Sequence, residues 1–225
     1  MSPAAGRSPA RAATSAVAVE GIARRFGRRW ALRGVSLDVA PGEVVALVGR
    51  NGSGKTTLLR LLATALRPTL GGGTVFGLDL VREADAVRER TGLLGHAPGL
   101  YQDLTAAENL RFALRMTGER ADGAIIARVL EAVGLGSETA TRVRGFSSGM
   151  QRRLALARLF LRPPRLLLLD EPFASFDADG IELVNGFIAE RRAAGAAVIV
   201  ATHDPEKAIG LIDRTVRLEH GRLGP

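Results

Sequence analysis

A nine-residue stretch has the residue types and spacing of a phosphate-binding loop. It consists of Gly49, Arg50, Asn51, Gly52, Ser53, Gly54, Lys55, Thr56 and Thr57. An apolar run, 44–48, precedes it and a Leu-rich run, 58–62, follows it, which predicts a strand, a turn and a helix. Glycines let backbone N–H groups turn towards anionic oxygens, and the helix N-terminus adds partial positive charge. Lys55 would reach the β- and γ-phosphates of a nucleotide, and the Thr56 hydroxyl would ligate Mg²⁺.

The lysine in this loop stands out against the rest of the chain. The 31 Lys and Arg residues include only two lysines, Lys55 and Lys207. The chain uses arginine almost everywhere that a cation suffices, so a lysine at 55 indicates a need for a compact ammonium group. The alternative is a glycine-rich turn that binds no ligand.

Charged side chains also follow two other apolar runs. Asp170 and Glu171 follow 166–169, and His203 follows 196–201 and Thr202. Parallel strands bind ligands outside their carboxyl ends, so we expect these residues to face the glycine-rich loop. Asp170 would hold Mg²⁺, Glu171 would orient a water molecule and accept its proton, and a ring N–H of His203 would contact the γ-phosphate. The alternative is two solvated acids and a structural histidine.

A second potential anion site opens the helix predicted from about Gly149 to Leu161. Ser147, the free backbone N–H groups and the helix dipole would together attract a phosphate. The alternative is that Ser147 is a simple N-cap. Spacing alone leaves open whether such a site meets the phosphate of its own chain or that of another.

Alternating apolar strands and helices predict an α/β fold with a mostly parallel sheet. We expect a disordered arm over 1–16, a single domain over 17–222, and a helical block inserted at about 100–162. Thr105 and Glu108 have the spacing of a capping box. Gly71, Gly72 and Gly73 predict a turn, and Pro205 is expected to open a helix.

Composition restricts the class of protein. The chain has 225 residues, a net charge of +8 and no cysteine, which excludes a disulfide scaffold and a thiolate metal site. No apolar run reaches the ~18 residues that a membrane span needs. Acidic residues are interspersed with the arginines and aromatic residues are few, so we expect no nucleic-acid partner.

Taken together, these motifs make the chain resemble the ATP-binding-cassette (ABC) ATPases over about residues 17–222. The loop 49–57 is similar to the Walker A motif, 165–171 to Walker B with its glutamate, 147–151 to the signature motif, 174–177 to the D-loop, and His203 to the switch histidine. The resemblance implies a P-loop core with an antiparallel β part and a helical subdomain, using ATP and Mg²⁺. It also implies that Phe26 stacks on adenine, the alternative being an ordinary core phenylalanine. Ser147 and Gly149 would cap the phosphate bound by a partner chain.

Two positions depart from the family pattern. The signature reads Phe146, Ser147, Ser148, Gly149, Met150, with a serine where a glycine is usual. His96 stands where the family has a glutamine that offers oxygen to Mg²⁺ or its water, and a neutral imidazole would offer a ring nitrogen instead. His96 together with 99–101 and 104–112 is most similar to the haem-exporter ATPases of cytochrome c maturation. Drug and lipid exporters share most of these features.

The resemblance also implies partners and a location. Two chains, identical or different, would sandwich ATP between them, and a separate polytopic membrane subunit would hold the pair at the cytoplasmic face of the cell membrane as a peripheral assembly. Two alternatives stay open at this point. One is a soluble ABC ATPase that acts on nucleic acid, and the other is a regulatory module without turnover, against which Glu171 and His203 argue.

Overall fold

The structure is a computed structural model that describes residues 15–120, 122–208 and 210–224. Most of the arm predicted for 1–16 therefore lies outside the described residues. The last two residues of that range are buried, and the N–H of Ala16 donates to the carbonyl of Val39 at 2.8 Å. Residues 15 and 16 thus already pack against the strand that ends at Val39.

The described residues form ten strands and six α-helices. The strands are β1 Val17–Phe26, β2 Arg29–Val39, β3 Val44–Val48, β4 Leu70–Val75, β5 Leu78–Asp79, β6 Thr91–Leu94, β7 Leu166–Asp170, β8 Ala197–Thr202, β9 Arg214–Glu219 and β10 Arg222–Leu223. The helices are α1 Lys55–Leu62, α2 Ala84–Arg90, α3 Ala106–Met116, α4 Gly123–Ala132, α5 Ser148–Leu161 and α6 Ala178–Ala193.

The larger sheet has the order β10-β9-β3-β8-β7-β6 and is parallel except where β10 meets β9. Every residue of β7 and β8 is buried, as expected for strands with both faces covered. Along β7 the leucines alternate between two cores. Leu166 and Leu168 pack on the side of α1, whereas Leu167 and Leu169 pack on the side of α5 and α6.

The smaller sheet is antiparallel with the order β2-β1-β4-β5, which confirms the predicted mixture of a parallel core and an antiparallel part. The turn predicted at 71–73 is wrong, because these glycines lie within β4, where Gly72 and Gly73 pair with β1. A Cβ at Gly71 would overlap the Gly21 carbonyl, and one at Gly73 would overlap that of Ala18. The glycines therefore allow close approach of two backbones, and they do not reverse the chain.

Helices α3, α4 and α5 lie between β6 and β7 in the chain and share an apolar cluster that includes Leu110, Leu130 and Leu154. The capping box at the start of α3 is confirmed, with Thr105 and Glu108 exchanging side-chain to backbone hydrogen bonds. The helix expected from Pro205 is only a 3₁₀ turn over Pro205–Ala208 in the described residues. No helix of the described residues has the length and apolar character to cross a membrane.

Candidate functional site

Four segments with chemically active side chains meet at one edge of the larger sheet. The glycine-rich loop follows β3, His203 follows β8, Asp170 ends β7 with Glu171 next, and His96 lies just after β6. Because β3, β8, β7 and β6 are consecutive neighbours and parallel, their carboxyl ends lie side by side. The sheet topology thus brings together residues that are up to 154 positions apart in the sequence (49 to 203).

The glycine-rich loop is shaped by close backbone contacts. Gly54 has a φ of 115°, and a Cβ there would lie 2.7 Å from the Ala31 carbonyl oxygen. A Cβ at Gly49 would overlap the carbonyl oxygen of Leu218. The Ser53 hydroxyl is buried and has no hydrogen-bond partner among the described residues, so it is a polar group available to a ligand. The loop therefore has the shape and the free polar group of an anion cradle.

A chain of polar contacts crosses the site. The Lys55 ammonium donates to the Gly49 carbonyl at 2.6 Å and lies 3.5 Å from Oε1 of Glu171. Oε2 of Glu171 is 2.8 Å from Nδ1 of His203. The Lys55 and Glu171 side chains are only 7% and 16% exposed, whereas His203 is 69% exposed. The carboxylate of Glu171 is thus fixed between a buried cation and an imidazole that faces solvent.

The two residues predicted to hold Mg²⁺ are in direct contact. The Thr56 hydroxyl donates to Oδ2 of Asp170 at 2.8 Å. Within the described residues no three His, Asp or Glu side chains form a cluster able to hold a metal alone. This donor set fits Mg²⁺, which commonly binds one or two protein oxygens together with substrate phosphates and water. His96 is exposed at the same cleft, and its hydrogen bond is made by the backbone carbonyl.

These residues line one cleft with a cavity volume of about 800 Å³. Lys55, Thr56, Asp170, Glu171 and His203 line it, together with His96, Phe26 and residues 50–54 and 57. Phe26 is 46% exposed, and the guanidinium of Arg24 lies 4.7 Å from the centroid of its ring. One side of the cleft opening is therefore aromatic and basic. Sequence reasoning missed four further aromatic or basic residues that line the cleft, namely Arg29, Trp30, Arg33 and His220.

Ser147 and Gly149 are outside the residues that the structure places around this cleft. Ser147 is exposed and acts as the N-cap of α5, where its hydroxyl accepts from the Met150 N–H at 3.2 Å. A Cβ at Gly149 would lie 3.3 Å from the carbonyl oxygen of Ser175 in the D-loop region. The start of α5 therefore does not line the cleft of its own chain, and Ser147 is open to solvent there.

A buried arginine, which sequence reasoning also missed, joins α5 to the edge of the sheet that carries Asp170 and Glu171. Arg152 is 5% exposed, and its guanidinium donates to the carbonyls of Gly95, His96, Asp170 and Glu171. Burial lowers the pKa of Arg152 below its ordinary value, and the charges of Asp170 and Glu171 oppose this effect. No local pattern distinguishes Arg152 for this role, because it stands beside Arg153 in a basic run.

Known proteins resemble the chain along most of its length. The family model described as "ABC transporter" matches residues 32–174. The daunorubicin resistance ATP-binding protein DrrA3 of Streptomyces coeruleorubidus is 39% identical over 213 residues, which cover 94% of this chain and 67% of the relative. The cytochrome c biogenesis ATP-binding export protein CcmA 2 of Cupriavidus metallidurans is 37% identical over 195 residues, covering 84% of this chain and 89% of the relative.

A solved structure described as the ATP-binding subunit of an ABC transporter superposes with a TM-score of 0.84 at 28% identity, covering 94% of this chain and 89% of that one. The chain therefore belongs to the ABC transporter family, as an ATP-binding subunit. It is an ATP-hydrolysing transport ATPase that uses ATP with Mg²⁺. Subunits of this family work as dimers together with separate membrane subunits.

Proposed function

We propose that this subunit hydrolyses ATP in the cleft described above, with Glu171 as general base. The observation that carries the proposal is the position of the Glu171 carboxylate between Lys55 and His203. Water would attack the γ-phosphorus and the bond to the bridging oxygen would break, giving ADP and phosphate. Glu171 would orient the water and accept its proton, while His203 holds the second carboxylate oxygen in place.

The remaining loop residues would bind and orient the triphosphate. Backbone N–H groups of 50–54, the Ser53 hydroxyl and the N-terminus of α1 are all suited to anionic oxygens. Lys55, now held by Gly49 and Glu171, would turn to the β- and γ-phosphates. Thr56 and Asp170 would hold Mg²⁺, which neutralises charge on the phosphate oxygens when it is bound. We include His96 in the metal site as a third candidate ligand, and Phe26 would stack on the adenine ring.

The test of the general base is Glu171→Gln, which keeps the side-chain volume and removes the basic oxygen. We expect steady-state hydrolysis to fall by at least ~100-fold while ATP affinity stays within about threefold. The matched control is Glu182→Gln, which makes the same change at an exposed carboxylate of α6. Wild-type phosphate release by the Glu171 variant would remove Glu171 from the mechanism.

We further propose that ATP is sandwiched between two chains. Ser147 and Gly149 do not line the cleft of their own chain, and Ser147 is exposed at the N-terminus of α5, which supports capping of the phosphate on a partner chain. Glu171→Gln with ATP should therefore form a stable dimer in light scattering, and adding Ser147→Arg should prevent it without weakening ATP binding to the monomer. A dimer that survives Ser147→Arg would contradict this arrangement.

For the cargo we propose haem, exported for cytochrome c biogenesis by a separate membrane subunit to which this chain binds at the cytoplasmic face. The similarity at His96, 99–101 and 104–112 and the CcmA 2 relative support this choice. Part of that motif has a structural explanation, because Asn109 is buried and hydrogen-bonds both backbone groups of Tyr101. The DrrA3 relative favours drug export as the second candidate.

The experiment is purification of this chain with its membrane partner, followed by ATPase assays in proteoliposomes. Haem export predicts stimulation by haem and none by an anthracycline, and drug export predicts the reverse. Purification with DNA or ribosomes, and stimulation by nucleic acid alone, would contradict both transport assignments.

A further inference from the structure

The guanidinium of Arg152 occupies the gap between the ends of two neighbouring strands. Nη1 donates to the carbonyls of Gly95 and His96, each at 3.0 Å, just after β6. Nη2 donates to the carbonyls of Asp170 at 2.8 Å and Glu171 at 2.5 Å, at the end of β7. One planar group thus joins helix α5 to the backbone of both strands that carry His96 and Glu171.

This contact is made by a buried cation whose partners are all backbone carbonyls. Its side chain is 5% exposed and Nε has no hydrogen-bond partner in the described part of the chain. A buried charge persists only where its surroundings satisfy it. Arginine's rigid fork can serve four acceptors on two sides, which neither lysine nor glutamine can reproduce.

The backbone at Glu171 needs such support. Glu171 is a non-glycine residue with a φ of 48°, in the left-handed region that is costly for side chains other than glycine. Its N–H donates to the Ala201 carbonyl of β8 at 2.8 Å, and its own carbonyl accepts from Arg152. The residue is therefore held on both sides, by β8 and by α5, in a conformation that aims its carboxylate into the cleft.

We propose that Arg152 is a positioning residue for ATP hydrolysis, which sets the Glu171 carboxylate and ties it to the His96 loop and to the start of α5. This inference rests on the proposed role of Glu171. Arg152 touches neither the glycine-rich loop nor the Lys55 side chain among its described contacts, so it acts on turnover and leaves nucleotide binding intact. Because Ser147 is the N-cap of α5, a movement that starts at Ser147 is transmitted along the helix to the Glu171 backbone through this guanidinium.

The experiment compares Arg152→Gln with Arg158→Gln. Arg158 lies on the same helix and donates to the carbonyls of Pro98 and Gly99, at 3.2 and 2.9 Å, so it holds the same loop without reaching Glu171. We expect Arg152→Gln to lower kcat by about 10- to 100-fold with KM for ATP within about threefold. Arg158→Gln should keep kcat within about threefold of the wild type.

Two additional variants separate positioning from folding. Arg152→Lys retains a buried cation with three donors, and we expect its kcat to lie between those of the Gln variant and the wild type at an unchanged Tm. In a Glu171→Gln background, Arg152→Gln should cause no further loss of the single-turnover rate, since both act through one carboxylate. If the two losses multiply, Arg152 does not act through Glu171.

Other outcomes also overturn the proposal. A wild-type kcat for Arg152→Gln excludes a positioning role. A parallel fall of Tm and ATP affinity in both the Gln and Lys variants, or failure of both to fold, assigns Arg152 to structure alone. Full activity of Glu171→Gln by itself is a separate result, because it refutes the proposed base before Arg152 is considered.

Discussion

Substitution of Gly49 by alanine would test whether the phosphate loop depends on close backbone contact. Gly49 directly follows β3, and the last residue of that strand, Val48, pairs with Arg217 of β9. A methyl group at 49 would overlap the carbonyl oxygen of Leu218 and lie 2.7 Å from Oγ of Ser53. Leu218 is completely buried. The group that the methyl would overlap is thus a backbone carbonyl in a packed core, which cannot rotate away as a flexible side chain could.

The structure sets the size of the expected effect. Forcing an extra carbon into a packed site typically costs about 1–3 kcal/mol. For a chain of this length each kcal/mol lowers Tm by roughly 2–4 °C, so we expect a fall of roughly 2–12 °C. The carbonyl of Gly49 also accepts the Lys55 hydrogen bond at 2.6 Å. Moving that carbonyl should misplace Lys55 and weaken ATP binding by at least ~10-fold, or about 1.4 kcal/mol.

The assays are thermal unfolding without nucleotide and calorimetric titration with ATP. The matched control is Gly186→Ala, in the interior of α6, where an added Cβ meets no heavy atom within 4 Å. Alanine is favoured over glycine in a helix by about 0.5–1 kcal/mol, so this variant should gain roughly 1–4 °C in Tm. ATP affinity should not change in the control.

The two glycine variants should therefore shift Tm in opposite directions. If Gly49→Ala unfolded at the wild-type temperature and bound ATP with wild-type affinity, a Cβ at position 49 would fit without overlap. The inference that the loop depends on close contact with the Leu218 carbonyl would then be wrong. A lower Tm with unchanged ATP affinity would show that the contact serves stability and that Lys55 is positioned by something else.

Three further variants address the site and its support. Lys55→Met should weaken ATP binding by at least ~10-fold in a titration, because a charge-assisted contact to phosphate is lost; equal affinity would exclude Lys55 from the phosphate site. Thr56→Val removes the hydroxyl that donates to Asp170, so the free Mg²⁺ needed for half-maximal hydrolysis should rise by ~10-fold, whereas Thr56→Ser should behave like the wild type. Backbone and side-chain hydrogen bonds from Thr105 hold the pKa of Glu108 below its ordinary value. Its stabilisation is therefore present at neutral pH and is lost as the pH falls through that lowered pKa. Glu108→Ala should have a lower Tm than the wild type near neutral pH and the same Tm in strong acid, and a difference that persists in acid would contradict this reasoning.

Local features of the molecule were largely predictable from the sequence. The glycine-rich loop, the buried strands β7 and β8 and the capping box at α3 each depend on residues within about ten positions of one another, so their spacing records the local geometry directly. The mostly parallel direction of the strands was then predicted from the alternation of strands and helices. Because the carboxyl ends of parallel strands lie at one edge of a sheet, this direction was enough to predict that Asp170, Glu171 and His203 would share an edge with Lys55.

Prediction from local sequence failed where the conformation or role of a residue depends on backbone that is distant in the chain. Three consecutive glycines at 71–73 suggested a turn, but they lie in β4. Glycine is needed there because the backbone of β1 approaches too closely for a Cβ at Gly71 or Gly73. Arg152 could not be distinguished from Arg153 by type or spacing. Its four acceptors stand 57, 56, 18 and 19 residues away, and only the packing of α5 against the ends of β6 and β7 brings them together.

By itself, the sequence determined most of the segments that form strands and helices, where the phosphate loop lies, and which carboxylates follow the buried strands. These features depend on side-chain periodicity and on the conformational freedom of individual residues. Only the tertiary structure decided that Glu171 contacts both Lys55 and His203, that Ser147 does not line the cleft of its own chain, and that Arg152 holds the Glu171 backbone. Each of these depends on the distance between segments far apart in the chain, which is fixed when the sheet and the helices pack around a common core.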